Sequence, residues 1–210
     1  MLNFENQNKM IFKGVGKYSI PEINPITDIM LNKLEWIPFN YALTAKNREK
    51  KGVHFYIDDY QFLRVWNNPD KYISLLQEFG AVCSPDFSLY TDMPKALQIY
   101  NHYRKQWLSA YWQMNGIKVI PTLCWSTPDS YEWCFDGVPT DGIVSVSSVG
   151  TQNNKQVTKN FVDGCKYAIE KTDPVQILWY GICPIELDWN VHIIKPHYEK
   201  IVERRLKNGR

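Results

Sequence analysis

The sequence predicts an α/β fold: a parallel, or partly mixed, sheet of five or six strands built from βα units, open or curved like part of a barrel, with an irregular N-terminal arm. Three observations carry this. Short β-prone runs alternate with amphipathic helical stretches from Gly52 onward, which is the pattern of parallel strands joined by right-handed crossovers. The chain has 210 residues, enough for one domain at roughly 100–200 residues each but short of the ~250 of a complete eight-unit barrel. Hydrophobic residues are 44% and charged residues 22%, an ordinary globular balance that excludes a disordered chain.

The elements come in this order. Residues 1–50 are punctuated by Pro21, Pro25 and Pro38 and end in a charged turn at Lys46–Lys51. They read as an irregular arm packing on the main domain, with one short helix near Ile26–Lys33. Residues 51–210 read as a single α/β domain. Val53–Ile57 is the first strand. Residues 69–79 form a helix: Pro69 suits its first turn, Tyr72, Leu75, Leu76 and Phe79 recur at helical spacing, and Gly80 stands just past the end. Ala81–Cys83 is a minimal strand. Residues 94–115 form the longest helix, capped by Asp92 and stopped by Gly116, with Ala96, Tyr100, Tyr103, Trp107, Tyr111 and Met114 on one face. Ile117–Leu123 is a strand despite Pro121. A short helix at Asp129–Cys134, a strand at Gly142–Ser147, a helix over 158–171 and a strand at Val175–Tyr180 come next. An amphipathic helix at His197–Lys207 closes the chain.

Composition narrows the function classes. The net charge is +2, but residues 195–210 hold six basic residues against Glu199 and Glu203, so the rest of the chain is net acidic. Lys195, Lys200, Arg204, Arg205 and Lys207 form a candidate nucleic-acid contact on an otherwise unremarkable charge balance. No run of 18 apolar residues and no basic-then-apolar leader occurs, so a cytoplasmic protein with no membrane partner is expected. The five cysteines are odd in number and form no CxxC pair, as reduced thiols do. No GxxxxGK[ST] loop, strand-borne GxGxxG or GxSxG elbow appears, which removes the common phosphate-loop, dinucleotide and hydrolase readings.

Ligands of parallel α/β folds bind beyond the carboxyl ends of the strands, so the residues just past each strand are the first candidates for a site. Asp58, Asp59 and Tyr60 stand past the first; Ser84, Pro85 and Asp86 past the second; Cys124, Trp125 and Ser126 past the third. Strand alternation places His54, Tyr56 and Asp58 on one face. Asp58, Asp59, Asp86 and His54 are the candidate catalytic residues. Two of them, Asp58 and Asp86, can hold Mg²⁺ through oxygen ligands, or the carboxylates can divide acid and base roles. The competing reading is that Asp58 and Asp59 cap the next helix or turn. His102 falls on the polar side of the long helix and reads as bland. Of 30 aromatic residues, those at helical spacing read as core. Tyr60, Phe87, Tyr90 and Trp125, with Ser84 and Ser126, are candidate substrate contacts, and Trp66 and Trp189 join the loop aromatics suited to stacking.

The segments GVHFYIDDYQFLRVWNNPDKYISLL, SPDFSLYTDMPKALQIYNHYRKQWLSAYWQ and GIKVIPTLCWS resemble the family catalogued as domain of unknown function 4417, over about residues 25–205. Its members are common in phages and mobile elements of Gram-positive bacteria. The resemblance implies a mobile-element protein of a bacterial cytoplasm and brings no reaction. Small proteins of such elements, some similar to this family, are associated with inhibition of CRISPR immunity, including loss or trimming of the guide RNA.

These residues and this resemblance support three functional expectations. One is an anti-CRISPR-like counter-defence protein acting on guide RNA or an RNA–protein effector, as a Mg²⁺-dependent ribonuclease. Another is an enzyme acting on a nucleotide-like small molecule at the strand ends. The third is a non-catalytic binder that blocks a defence complex.

Overall fold

The computed structural model describes residues 4–151, 155–184 and 189–196. Its strands lie in three sheets. A small antiparallel pair joins β1 (Gly14–Val15) to β2 (Ile20–Pro21). One four-stranded parallel sheet runs β3 (Glu35–Pro38), β4 (Lys51–His54), β5 (Ala81–Cys83), β6 (Val119–Ile120). A second runs β7 (Thr122–Leu123), β8 (Ile143–Ser147), β9 (Gln176–Tyr180), β10 (Val191–Ile194), again all parallel. The helices are α1 (Asp59–Asn67), α2 (Asp70–Gln77), α3 (Lys95–Met114) and α4 (Lys155–Thr172).

The expected α/β class is therefore present, with four strands in each of two parallel sheets rather than five or six in one. The strand expected at Ile117–Leu123 is divided by Pro121. Proline has no N–H to give a ladder, so β6 pairs with β5 and β7 turns to β8. The Pro121 carbonyl still accepts from the Ser145 amide at 2.8 Å, so one stretch of chain serves both sheets.

Besides the small pair β1 and β2, two strands of the parallel sheets go beyond the sequence expectation. Residues 1–50, read as irregular, supply the edge strand β3. Its Trp36 pairs with Gly52, where a Cβ would stand 2.4 Å from the indole. Glu35 forms an ion pair with its register partner Lys51. The helix expected at Ile26–Lys33 is only a 3-10 turn at Leu31–Lys33, and Asp129–Cys134 is likewise a 3-10 turn, over Pro128–Glu132. The second added strand, β10, is short and half-exposed. The terminal helix expected at His197–Lys207 lies outside the described residues.

Strand alternation divides the core. Outward residues Val53 and Val82 pack beneath α1 to α3 with Phe62, Leu76, Trp107 and Trp112. Val144, Val146 and Ile177 pack beneath α4 with Phe161, Ala168 and Ile169. The opposite faces of both sheets meet in a third cluster of Trp36, Ala81, Cys83, Ile120, Ile143, Leu178 and Ile194, covered by Ile29 and Leu31. Each such large apolar side chain removed from water contributes about 1.5–3 kcal/mol.

Helix α3 decides the geometry of the site. Its end is as expected: Gly116 is left-handed at φ +77°, and the Ile117 amide reaches back to the Trp112 carbonyl at 3.0 Å. Its start is not, because Pro94 rather than Asp92 occupies the cap position. Nor is its buried face the expected one. Ala96 and Met114 are exposed and Tyr100, Tyr103 and Tyr111 only partly covered. The buried stripe includes a polar row: Gln98, Asn101, His102, Lys105 and Ser109.

Candidate functional site

At the carboxyl ends of the strands lies a cavity of about 640 Å³. Tyr56, Ile57 and Asp58, beyond β4, form one wall with Gln61 of α1. Asp86, Ser88 and Tyr90, from the loop after β5, form the next. Cys124 and Trp125 lie just past β7, Ser147 ends β8, Tyr180 ends β9, and Phe161 comes from α4.

The loop after β5 is held by buried polar side chains. Asn101 donates to the Ser88 carbonyl at 2.7 Å, and Gln98 donates to the carbonyls of Tyr90 and Met93 at 3.1 and 2.8 Å. From α1, Asp59 accepts from the Ser88 hydroxyl and amide at 2.8 and 3.1 Å. Ser109 donates to the Ser84 hydroxyl at 2.8 Å. Loop carbonyls turned away from water need such donors, because an unpaired buried polar group costs about 1–3 kcal/mol.

Lys105 stands beneath the cavity at 1% exposure. Its Nζ donates to the Thr122 carbonyl at 3.0 Å and to Cys124 Sγ at 3.1 Å. A buried ammonium needs a nearby anion, and Asp86 supplies it. Burial raises the Asp86 carboxyl to about 7, against the pull of Lys105 and with a further push from Asp59. A carboxyl raised in this way lies in the range suited to general acid–base work. Burial also pushes the Cys124 thiol to about 11 and Cys83 to about 12, so neither is a ready thiolate. The Tyr56 hydroxyl is sealed from solvent with no partner at bonding geometry. Burial holds its pKa well above the usual tyrosine value, reinforced by Cys83 and Asp86 and opposed by the Ser145 and Thr122 hydroxyls.

Of the residues singled out by sequence, Asp58, Asp86, Tyr90 and Trp125 meet at this cavity. Asp58 also fills the cap position of α1, where it accepts from Gln61 Nε2 at 3.2 Å rather than from a backbone amide. Asp59 holds Ser88 and does not line the cavity. His54 is buried at 2% exposure, its Nδ1 accepting from the Tyr56 amide at 3.3 Å, its ring 4.7 Å from Tyr180. Phe87 is core, packed near Phe62 and under the Arg104 guanidinium at 3.7 Å. Ser84 is fully buried, and the Ser126 amide is tied to Ser130 Oγ at 3.0 Å. Tyr60 is 78% exposed and outside the cavity lining. Trp66 is core, and Trp189 half-exposed. Lys195 is described; Lys200, Arg204, Arg205 and Lys207 lie outside the described residues. Among the described residues, no group of three or more His, Cys, Asp or Glu side chains could hold a metal ion.

Sequence reasoning missed Lys105, Gln98, Asn101 and the bond that Cys124 makes. A signal existed: polar side chains recur at 98, 101, 102, 105 and 109 with the period of a helix face. The aromatics on the neighbouring face carried the stronger hydrophobic pattern and claimed the buried side. Another packing requirement shows at Gly164 of α4, where a Cβ would stand 2.1 Å from Trp125 Nε1. The bare backbone there lets the indole settle against the helix, stacked on Phe161 at 5.2 Å.

Comparisons with known proteins add relationship. The chain is 40% identical over 174 residues to the Gene 1 protein of Mycobacterium phage L5, covering 82% of this chain and 75% of that protein. It is 36% identical over 200 residues to the Gene 1 protein of Mycobacterium phage D29, covering 95% and 73%. No solved structure matches. The family model for the domain of unknown function DUF4417 spans residues 12–198, and with relatives of this similarity the chain belongs to that family.

Proposed function

We propose that this protein is an enzyme acting on a nucleotide-like small molecule held at the carboxyl ends of its strands. The observation that carries this is Asp86, a carboxyl pushed to about 7 in the wall of a 640 Å³ cavity. Pockets of about 300–1,000 Å³ with a few converging polar groups suit small ligands. A carboxyl titrating near neutrality both accepts and returns a proton during turnover. Lys105 favours its ionised form.

The shared stretch Val119–Leu123 and the cluster common to both sheets favour reading the two sheets as one curved wall, part of a barrel. Such a wall aims successive strand ends at one point, as complete parallel barrels do.

The counter-defence reading directed at guide RNA draws on the phage relatives and on basic residues that, apart from Lys195, lie outside the described structure. The cavity gives that reading the Asp58 and Asp86 carboxylates, whereas its volume of about 640 Å³ favours a small molecule over an RNA strand. Incubation with pools of bases, nucleosides and nucleotides, followed by mass spectrometry, tests the choice. The expected result is conversion of one compound by the native protein and none by Asp86→Asn. Metal-dependent shortening of a guide RNA that needs both Asp58 and Asp86, with every small molecule intact, would reverse the assignment.

A further inference from the structure

We infer that the cavity takes a flat organic cation: a heterocycle with a positive charge fixed on a ring nitrogen, as an N-methylated nucleobase or a pyridinium carries. This rests on the reading of the cavity as a small-molecule site and names the ligand class.

Charge is the first argument. Asp58 and Asp86 are the charged side chains of the described lining. Among the described residues, no ion pair reaches either of them. Asp58 accepts from the neutral Gln61 amide, whose oxygen in turn accepts from Asn40 Nδ2 at 3.1 Å. Lys105 pulls on Asp86, but its Nζ donates to the Thr122 carbonyl and Cys124 Sγ, and it stands outside the lining. Two carboxylates thus line the cavity against one buried ammonium outside it. A cation bound inside supplies the missing counter-charge, in a setting where water screens the attraction poorly. The basic residues of 197–210 lie outside the described structure, and their sequence charge opposes a cation, so the full chain is the stringent protein to test.

The aromatic lining is the second. Tyr56 and Tyr180 stack at 4.8 Å, Trp125 and Phe161 at 5.2 Å, and all four line the cavity. An aromatic face is the negative side of the ring, and a cation within about 6 Å of the ring centroid is attracted to it, more strongly once water is excluded. Aromatic rings and carboxylates therefore select the same sign of ligand. Shape is the third. A charge spread over a planar group is weakly hydrated and stacks on aromatic faces, as a guanidinium does, whereas a compact ammonium gives up more water. A neutral ring gains the stacking alone. A ring of the same outline with a fixed positive charge gains the stacking, the attraction of the aromatic faces and the pull of Asp58 and Asp86.

The test is calorimetric titration of the full chain with pairs close in shape and different in charge: 1-methyladenosine against adenosine, 3-methylcytidine against cytidine, and nicotinamide riboside against its dihydro form. The first two pairs and the third distinguish the two sources of a charged ring. The expected result is that in at least one pair the cation binds at least about tenfold more tightly than its neutral partner. Asp58→Asn and Asp86→Asn each lower that ratio, since each removes one negative charge and keeps the side-chain outline. If neither variant folds, the comparison within the native protein decides alone. A ratio below about tenfold in every pair, or a ratio unchanged in folded variants, would overturn the inference while leaving a small-molecule site in place. No binding by any member of the panel, charged or neutral, would overturn both.

Discussion

The two faces of α3 do different work. One carries Trp107, fully buried, stacked on Tyr111 at 4.8 Å and edge-on to Trp66 at 5.6 Å, with its Nε1 donating to the Met10 carbonyl at 3.0 Å. That face welds the N-terminal segment and α1 to the sheet. The other carries Gln98, Asn101, Lys105 and Ser109, also buried, whose bonds go to the loop after β5 and to the strand β7. The first face stabilises by area removed from water, which is indifferent to direction. The second fixes positions through directional bonds that add little net stability but are costly to break. Buried aromatic area marks where this protein is held together, and buried polar side chains mark where its geometry is specified.

The largest effect that tests this contrast is on the aromatic face. Trp107→Ala removes a fully buried indole and is expected to cost about 3–5 kcal/mol, read as a fall in the urea midpoint. If the loss were under about 0.5 kcal/mol, on the order of a surface substitution, the aromatic face would not be the weld.

On the polar face, Lys105→Met leaves the Thr122 carbonyl and Cys124 without their donor, a cost of about 1–3 kcal/mol. It also removes the charge that lowers the Asp86 pKa. Carbon-13 titration of that carboxyl should then show its midpoint moved upward from that of the native protein; an unmoved midpoint would separate Lys105 from the site.

Asp86 also gives stability a pH dependence. Its folded pKa of about 7 lies above the roughly 3.9 of an unfolded aspartate, so the folded state binds the proton more tightly. The stability linked to this group is fully present below about pH 4 and is lost as pH rises through about 7. Between those values, urea midpoints of the native protein should decline more than those of Asp86→Asn. Parallel profiles would place the titration elsewhere.

The smallest change is Ser109→Ala, which removes one hydroxyl pair to Ser84 and should cost about 1 kcal/mol. Asp59→Asn weakens the charge-assisted bond to Ser88 by a similar amount. Its second readout is the cavity, where ligand affinity should fall alongside a urea-midpoint loss comparable to that of Ser109→Ala.

Much of the fold was legible because it rests on local patterns. The runs at Ala81–Cys83, Gly142–Ser147 and Val175–Tyr180 are short, apolar and bounded by breakers, and each is a strand within a residue or so. Gly116 ends α3 where its left-handed backbone requires. Strand β3 was hidden because Glu35–Pro38 ends in proline within a proline-punctuated segment, and an edge strand needs neither two apolar faces nor a full ladder. The site was legible in part. Asp58 and Asp86 stand past strands, and parallel topology gathers strand ends. Phe87 and Ser84 obey the same rule, and His54 ends β4 itself, yet all three lie in packed interior, since a strand end supplies residues to both faces.

By itself the sequence determined the α/β class, most element positions and the family, and it marked Asp58, Asp86 and Trp125 as residues standing past strands. These depend on residue order, on hydrophobic period and on the one-way sense of parallel crossovers. Only the tertiary structure decided that Pro121 divides one strand between two sheets, that Asp58, Asp86 and Trp125 line one cavity, that the polar face of α3 turns inward, and that Lys105 is brought near enough to pull on Asp86. Those outcomes depend on which surface each element meets. A helix with both an aromatic and a polar stripe can bury either, and here the carbonyls of the loop after β5 and of Thr122 give the polar stripe the partners it needs.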